Sequence, residues 1–584
     1  MKIIVAAVVV WMVSGGAQAG MLDEQFAEET ETYMSRLEKL GFAGVVKIAE
    51  KGEVVFANGY GLADREKRIP WTPRSISTVG SITKQFTAAA ILVLQEKGVV
   101  DTGDGLDKHF SGVPADKKGI TLHHLLTHSS GIVDPPDIDD FDPITRDQYV
   151  RRVLDAPLNS APGERFEYAN ANYSLLGAII EQKTGKHYEA AIRELVLDPA
   201  GLKETGYTLP DWEADRIAQG YEGPERWGTV LERPMADDGP YWALRANGGI
   251  YSGCDDMLRW ARALLDDRVM TRASRELMWT PHVDETNGAG ESWYGYGWVV
   301  RRSQDGPFMV THNGGNGILF ADFAIYPDDD VVMFLQTNVV ADFRKANELL
   351  GEFDNRLFGG VPYPDVPDVV GVESRELEER AGVYRFPNGD RLDVSVDGDA
   401  LRVVPEGWEA WTWVHSDGGV AAGPLLEKSR AVDAIVGAYT GGDFEPIYKA
   451  YREQVPIDRL RSMYEQRLAE REAEYGAYEG YEVLGTGTGD RYYFTMVRFV
   501  HERGSLLRTY VWAPGDEEKL LGFTTRRMDP GCRFYPVGEG LYRSWEPATG
   551  ASVTARFEMD GRAASLVLIR DESDVTATRT PDAR

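Results

Sequence analysis

The sequence predicts a chain of mixed α/β (α+β) class divided into at least two domains. Three observations carry that prediction. Its 584 residues are about four times the length of a typical single domain. An apolar helical run, Gln85 to Lys97, stands among short β-rich runs in the first part. Beyond a Pro-rich stretch at 359–371, period-two alternation takes over, broken once by helix.

The elements follow in chain order. Lys2 precedes the apolar run Ile3 to Val13 and then Ser-Gly-Gly-Ala-Gln-Ala, ending at Ala19. A positive start, a short apolar core and an A-x-A site predict a signal peptide over 1–19 and an exported, periplasmic or secreted, protein. The run is shorter than the roughly 20 residues of a membrane helix, and no Cys follows the cleavage site. No stable membrane insertion is expected after cleavage. Residues 26–41 read as a surface helix, and 44–48 with 54–60 as strands about a turn at 50–53. Gln85 to Lys97 is apolar nearly all round, a helix buried on every side and ended by Gly98. Residues 101–290 mix short amphipathic helices with Pro- and Gly-rich loops. From Tyr294 to Asn338 the pattern is β, and a last helix is expected near 341–358.

The stretch 359–371 (GGVPYPDVPDVVG) reads as a linker. Alternation over 382–404, with turns at Asn388-Gly389 and Asp397-Gly398, predicts antiparallel sheet. Helix is expected over 429–475, then strands at 492–500, 506–513, 552–559 and 565–570. The order predicts a β-barrel or sandwich, lipocalin-like, from 372–427 plus 528–575, with an α+β module inserted at 428–527.

Composition narrows the function. Apolar residues are 43% and charged residues 27% of the chain, as in globular proteins. The net charge of −30 repels phosphate backbones and anionic headgroups, so nucleic acid is not an expected partner. Two cysteines in the whole chain leave neither a disulfide framework nor a thiolate zinc site. Export would permit a disulfide between Cys254 and Cys532, but 278 residues apart they are expected rather as small buried hydrophobes.

Ser81-Ile82-Thr83-Lys84 opens the buried helix. Positions i and i+3 share a helix face, so the hydroxyl and the amine can meet there. A helix N-terminus favours negative charge developing on a carbonyl oxygen, and apolar surroundings disfavour the ammonium, freeing Lys84 to act as a base. The tetrapeptide alone also fits a capping Ser beside a solvent-facing Lys. After it come ITLHHLLTHSSGI (120–132), FEYANANYSLLG (166–177), ANGGIYS (246–252) and VTHNGGNGI (310–318).

In that order these segments resemble the serine β-lactamase and penicillin-binding-protein superfamily, in its class C-like branch of esterases and D-amino-acid peptidases, over roughly residues 26–358, which places a hydrolase domain at 20–358. The resemblance implies the transpeptidase-like fold, an antiparallel sheet flanked by helices with a helical subdomain. It implies that Ser81 is acylated, with Lys84 as its base and Tyr168 as proton donor to the leaving group. Asn170 would hold the serine–lysine pair or the substrate. His312 and Gly314 fall where the family borders its cleft with Lys-Thr-Gly or His-x-Gly, and the amides of Ser81 and Gly315 would form the oxyanion hole. His312 stands where β-lactamases and D,D-peptidases mostly have lysine, which shifts the expectation from β-lactams toward small esters and D-amino-acid amides or peptides. No metal or organic cofactor is implied.

His124 and His128, spaced i,i+4, lack the intervening Glu of a zinc-protease helix. The glycines of HNGGNGI precede a strand rather than a phosphate-binding helix, and GTGTGD (485–490) reads as a turn. The expectation is an exported serine hydrolase working through an acyl-enzyme on a small-molecule ester or peptide. β-Lactamase or D,D-peptidase activity is one alternative; a non-catalytic binding protein on the same scaffold is another. Family members with appended barrels use them to shape the cleft mouth or to form homo-oligomers, and one of these is expected of the C-terminal region.

Overall fold

In the computed structural model, residues 22–580 are described apart from 224, 289, 291, 303–305, 341–342, 416–421, 452–456, 489–492, 513–519, 527–530, 539, 546–551, 561 and 571–572. The signal-peptide expectation for 1–19 lies outside the described residues. The chain divides into two compact units, 1–363 and 364–584.

The first unit is built on one antiparallel sheet. Helix α1 (Glu24–Lys39) leads into β1 (Gly44–Glu50) and β2 (Glu53–Tyr60). Helices α2 (Thr83–Glu96), α3 (Leu122–Leu126), α4 (Asn170–Thr184) and α5 (Cys254–Leu265) follow. The chain then returns to the sheet through β3 (Val283–Asp284), β4 (Trp293–Tyr294), β5 (Val299–Arg302), β6 (Phe308–Gly315), β7 (Phe320–Tyr326) and β8 (Val331–Thr337). Helix α6 (Leu349–Phe358) ends the unit's regular structure. The strand order is β2-β1-β8-β7-β6-β5-β4-β3, so the first hairpin pairs with the last strand, Gly44 opposite Thr337. Strands β1 and β8 are buried along their whole length, and both α5 and α6 pack on β8. A strand covered on both faces needs apolar residues at successive positions, which is why VVMFLQT does not alternate.

Helix α2 fills the centre of this unit. Twelve consecutive residues, Thr83 to Leu94, are buried. Its three alanines, Ala88 to Ala90, let neighbours approach closely, and positive φ at Gly98 ends the helical run. A single 3₁₀ turn, Gly80–Ile82, precedes it, so Ser81 sits just outside the α-helix proper.

The second unit contains a closed antiparallel barrel. Its strands are β9 (Gly382–Arg385), β10 (Arg391–Asp397) and β11 (Ala400–Glu406), then, after an insertion, five more between Cys532 and Arg579. Tyr384 opposite Arg579 closes the ring. Alternate residues such as Leu392, Val394, Leu401, Val403, Leu566 and Leu568 pack into one core. The insertion opens at Trp408 rather than near residue 428. Helix α7 (Trp408–His415) starts it because Ala410 and Val414 reach the barrel core while Trp411 packs on the inserted sheet. Helices α8 (Ala422–Thr440) and α9 (Ile457–Tyr475) then cover a four-stranded sheet within Tyr478–Arg526. The expected turn at 485–490 is corrected for its described part: residues 485–488 end the strand Tyr478–Thr488. Gly485 serves there as a seat for Trp411, since a Cβ would fall 2.4 Å from that ring. Cys254 and Cys532 are both buried and free, one in each unit.

Candidate active site

The site forms where the 3₁₀ turn before α2, the N-terminus of α4 and the end of β6 meet. Lys84 is wholly buried, and its Nζ donates to Ser81 Oγ at 3.1 Å, to Asn170 Oδ1 at 2.8 Å and to the Asn247 carbonyl at 2.8 Å. Three acceptors match the three N–H bonds of an ammonium. Burial nevertheless pushes the amine down to about 7, against the opposing pull of the carboxylates of Asp134 and Asp140. Near neutral pH, then, the amine offers Ser81 a lone pair.

Tyr168 borders the cleft with 42% of its surface open. Its hydroxyl interacts with that of Ser81, and the Lys84 ammonium lies 4.8 Å from its ring centroid. Loss of solvent around the hydroxyl outweighs the Ser81 hydrogen bond and, with the negative Asp134 nearby, holds the phenol above its ordinary range. At neutral pH the Tyr168 hydroxyl therefore keeps its proton.

Asn170 begins α4, where Asp134 accepts the main-chain N–H of Asn170 at 3.1 Å and of Ala171 at 2.7 Å. One carboxylate therefore caps the helix and places its charge near Lys84. Asn247 is held by its own amide, which donates to Ser174 Oγ at 2.9 Å and to the Ala243 carbonyl at 2.6 Å.

Gly314 and Gly315 end β6 against the serine turn. A Cβ on Gly314 would lie 2.2 Å from the Val79 carbonyl oxygen and 2.3 Å from the Ser81 nitrogen. One on Gly80, which has φ of +50°, would lie 2.5 Å from the Gly315 nitrogen. Glycine is needed at both places because two backbones touch. This contact brings the Gly315 amide beside the serine turn, as an oxyanion hole requires. Gly314 is the spacer that permits it and is itself buried.

His312 is 5% exposed. Its Nδ1 lies 2.6 Å from the Asn313 carbonyl, so that nitrogen carries the proton and donates; its Nε2, 2.9 Å from the Tyr294 hydroxyl, accepts. Burial and the nearby Lys84 push the imidazole down to about 3. His312 therefore brings no positive charge to the cleft, and both of its nitrogens are engaged by the protein.

Ser81, Lys84, Tyr168, Asn170 and the Gly314-Gly315 strand end thus come together. The sequence reading did not assign Asn247, Asp134 or Tyr294. Only the Asn247-Gly248-Gly249 run, already singled out as a segment, could have pointed to the first. His124 and His128 do not share a helix face: His124 Nδ1 accepts the Thr121 N–H at 3.3 Å, and His128 lies beyond the end of α3 with φ of +54°. Among the described residues, the metal-sized grouping is Glu181, His187 and Asp238, where Arg245 pairs with both carboxylates.

Comparison with known proteins fits this geometry. The family model described as Beta-lactamase matches residues 29–352. Penicillin-binding protein 4* of Bacillus subtilis (strain 168) is 28% identical over 383 residues, 63% of this chain and 83% of that protein. Esterase EstB of Burkholderia gladioli is 30% identical over 260 residues, 38% of this chain and 64% of its own length. A solved penicillin-binding protein from Bacillus halodurans is 26% identical, covering 52% of this chain and 94% of its own, with a TM-score of 0.46. Since the matched residues 29–352 exceed half of the chain and contain the serine turn, the Tyr168 loop and the glycine strand end, this chain belongs to the Beta-lactamase family, whose members are serine hydrolases.

Proposed function

We propose that this protein is an exported serine hydrolase that cleaves small esters or amides, D-amino-acid derivatives among them, through an acyl-enzyme. One observation carries the reading: the buried Lys84 amine, poised near neutrality, lies 3.1 Å from the Ser81 hydroxyl. As Ser81 Oγ bonds to the substrate carbonyl carbon, its proton passes to Lys84. The ammonium so formed is favoured by Asp134 and Asp140 and held by Asn170 and the Asn247 carbonyl. The carbonyl π electrons move onto oxygen, which the Ser81 and Gly315 amides receive. Collapse breaks the bond to the leaving group, which takes the Tyr168 proton, and Lys84 restores that proton to Tyr168. Water then attacks the acyl carbon as the Lys84–Tyr168 pair takes its proton; the acyl C–Oγ bond breaks, and Lys84, 3.1 Å away, returns that proton to Ser81 Oγ.

β-Lactam or D,D-peptide turnover is the second reading. It is disfavoured because a carboxylate-bearing substrate would meet a neutral His312 engaged at both nitrogens. The esterase name of the Burkholderia relative supports the first.

Intact-mass spectrometry of the protein recovered after export tests the proposal. Incubation with 4-nitrophenyl esters, D-amino-acid amides and a penicillin is expected to give an acyl adduct from the first two classes, absent in Ser81→Ala, on a chain beginning at Gly20. A scaffold that only binds would give no adduct with any of them. Efficient turnover of the penicillin would reverse the ranking of substrates.

A further inference from the structure

His128 has no step in the mechanism above, yet it grips both sides of Tyr168. Its carbonyl accepts the Glu167 N–H at 2.7 Å, and its Nδ1 accepts the Ala169 N–H at 3.2 Å. The main-chain amides before and after Tyr168 are thus tied to one residue. The imidazole also underlies the phenol, with ring centroids 4.2 Å apart and planes 30° from parallel. Phe166, Tyr173 and Tyr294 surround the same imidazole, with centroids at 6.0, 5.1 and 5.0 Å.

Hydrogen bonding fixes the state of this ring. The Ile132 N–H donates to Ser130 Oγ at 3.1 Å, and Ser130 Oγ donates to Asn172 Oδ1 at 2.6 Å. The Asn172 amide must therefore turn its NH₂ to His128 Nδ1, 3.1 Å away. With two N–H groups aimed at it, Nδ1 has no place for a proton, so the imidazole is neutral with its hydrogen on Nε2. That Nε2 is buried and makes no hydrogen bond. A ring locked in one tautomer is a poor proton carrier and a good support. The residue holds this place with φ of +54°, a left-handed conformation that needs compensation from its contacts.

We propose that His128 is the positioning residue of Tyr168: it sets the reach of the phenol to the leaving group by pinning the 167–169 backbone and propping the ring. The inference rests on the reading of Tyr168 as proton donor, and the test separates the two. An alkoxide must be protonated as it departs, whereas 4-nitrophenolate leaves without help. Loss of Tyr168 alignment should therefore appear in kcat/KM for ethyl butyrate and spare 4-nitrophenyl butyrate. His128→Phe keeps a ring but loses the acceptor; His128→Asn keeps an acceptor and tolerates the left-handed backbone but loses the ring.

Each is expected to lower kcat/KM for the ethyl ester by about 10- to 100-fold and for the 4-nitrophenyl ester by less than about threefold. Added to Tyr168→Phe, neither should cause further loss, because both act through one group. Equal loss on the two esters, no loss, or additive loss in the double variant would overturn the proposal. His128→Asn carries the test should His128→Phe not fold. If Tyr168→Phe itself harms both esters alike, the proton-donor reading falls instead.

Discussion

In the proposed mechanism Lys84 decides whether the site is a catalyst. Its amine must lose a proton before it can take one from Ser81, and burial brings that loss to about pH 7. The lowered value means that the inert ammonium accumulates as pH falls through 7. Log kcat/KM for a 4-nitrophenyl ester is therefore expected to drop with unit slope below a midpoint near 7 and to level off above it. Measurement from pH 5 to 9 checks this. A midpoint near 10, the ordinary value for lysine, would mean that the amine is solvated and not a base at working pH. His312 should leave no second limb in that range, since it stays neutral down to about 3.

The N-terminus of α4 couples helix stability to chemistry. Asp134 satisfies two main-chain donors there, and the helix's first residue, Asn170, also holds Lys84. Asp134→Asn keeps one good acceptor but removes the charge. Two effects are expected together. The acid limb should move below pH 7, because the carboxylate no longer favours the Lys84 ammonium. Stability should fall by roughly 0.5–1 kcal/mol, seen in urea titration, through loss of a charged cap. A limb that moves upward instead would mean that Asp134 does not act on Lys84 by charge.

At the scale of the whole molecule, two units carry separate cores. The first encloses α2 and the eight-stranded sheet; the second closes its own barrel and covers its inserted sheet. A chain of residues 20–363 is therefore expected to fold cooperatively and to be acylated at Ser81, as read by circular dichroism and intact mass. Removal of 364–584 should change either the oligomeric state, measured by sedimentation, or the KM for bulky esters. If neither changes, the C-terminal unit has no part in assembly or access.

Much of this was legible in one dimension. The i,i+3 spacing in Ser81-Ile82-Thr83-Lys84 and the all-round apolar run behind it fixed a hydroxyl and an amine on one buried turn, because helical geometry is local. The alternation of 382–404 likewise announced antiparallel pairing. Local rules were silent on how α7 bridges to the barrel core, and so misplaced the start of the insertion by reading only where helix pattern became dense. They were equally silent on charge. Whether His312 is a cation, whether Tyr168 is a phenol and how far Lys84 falls depend on solvent excluded by segments far away in sequence, and on partners such as Tyr294, Asp134 and Asn247. The sequence by itself determined which groups could react; the tertiary structure alone decided their protonation, since desolvation and hydrogen bonding belong to the assembled site and to no single stretch of chain.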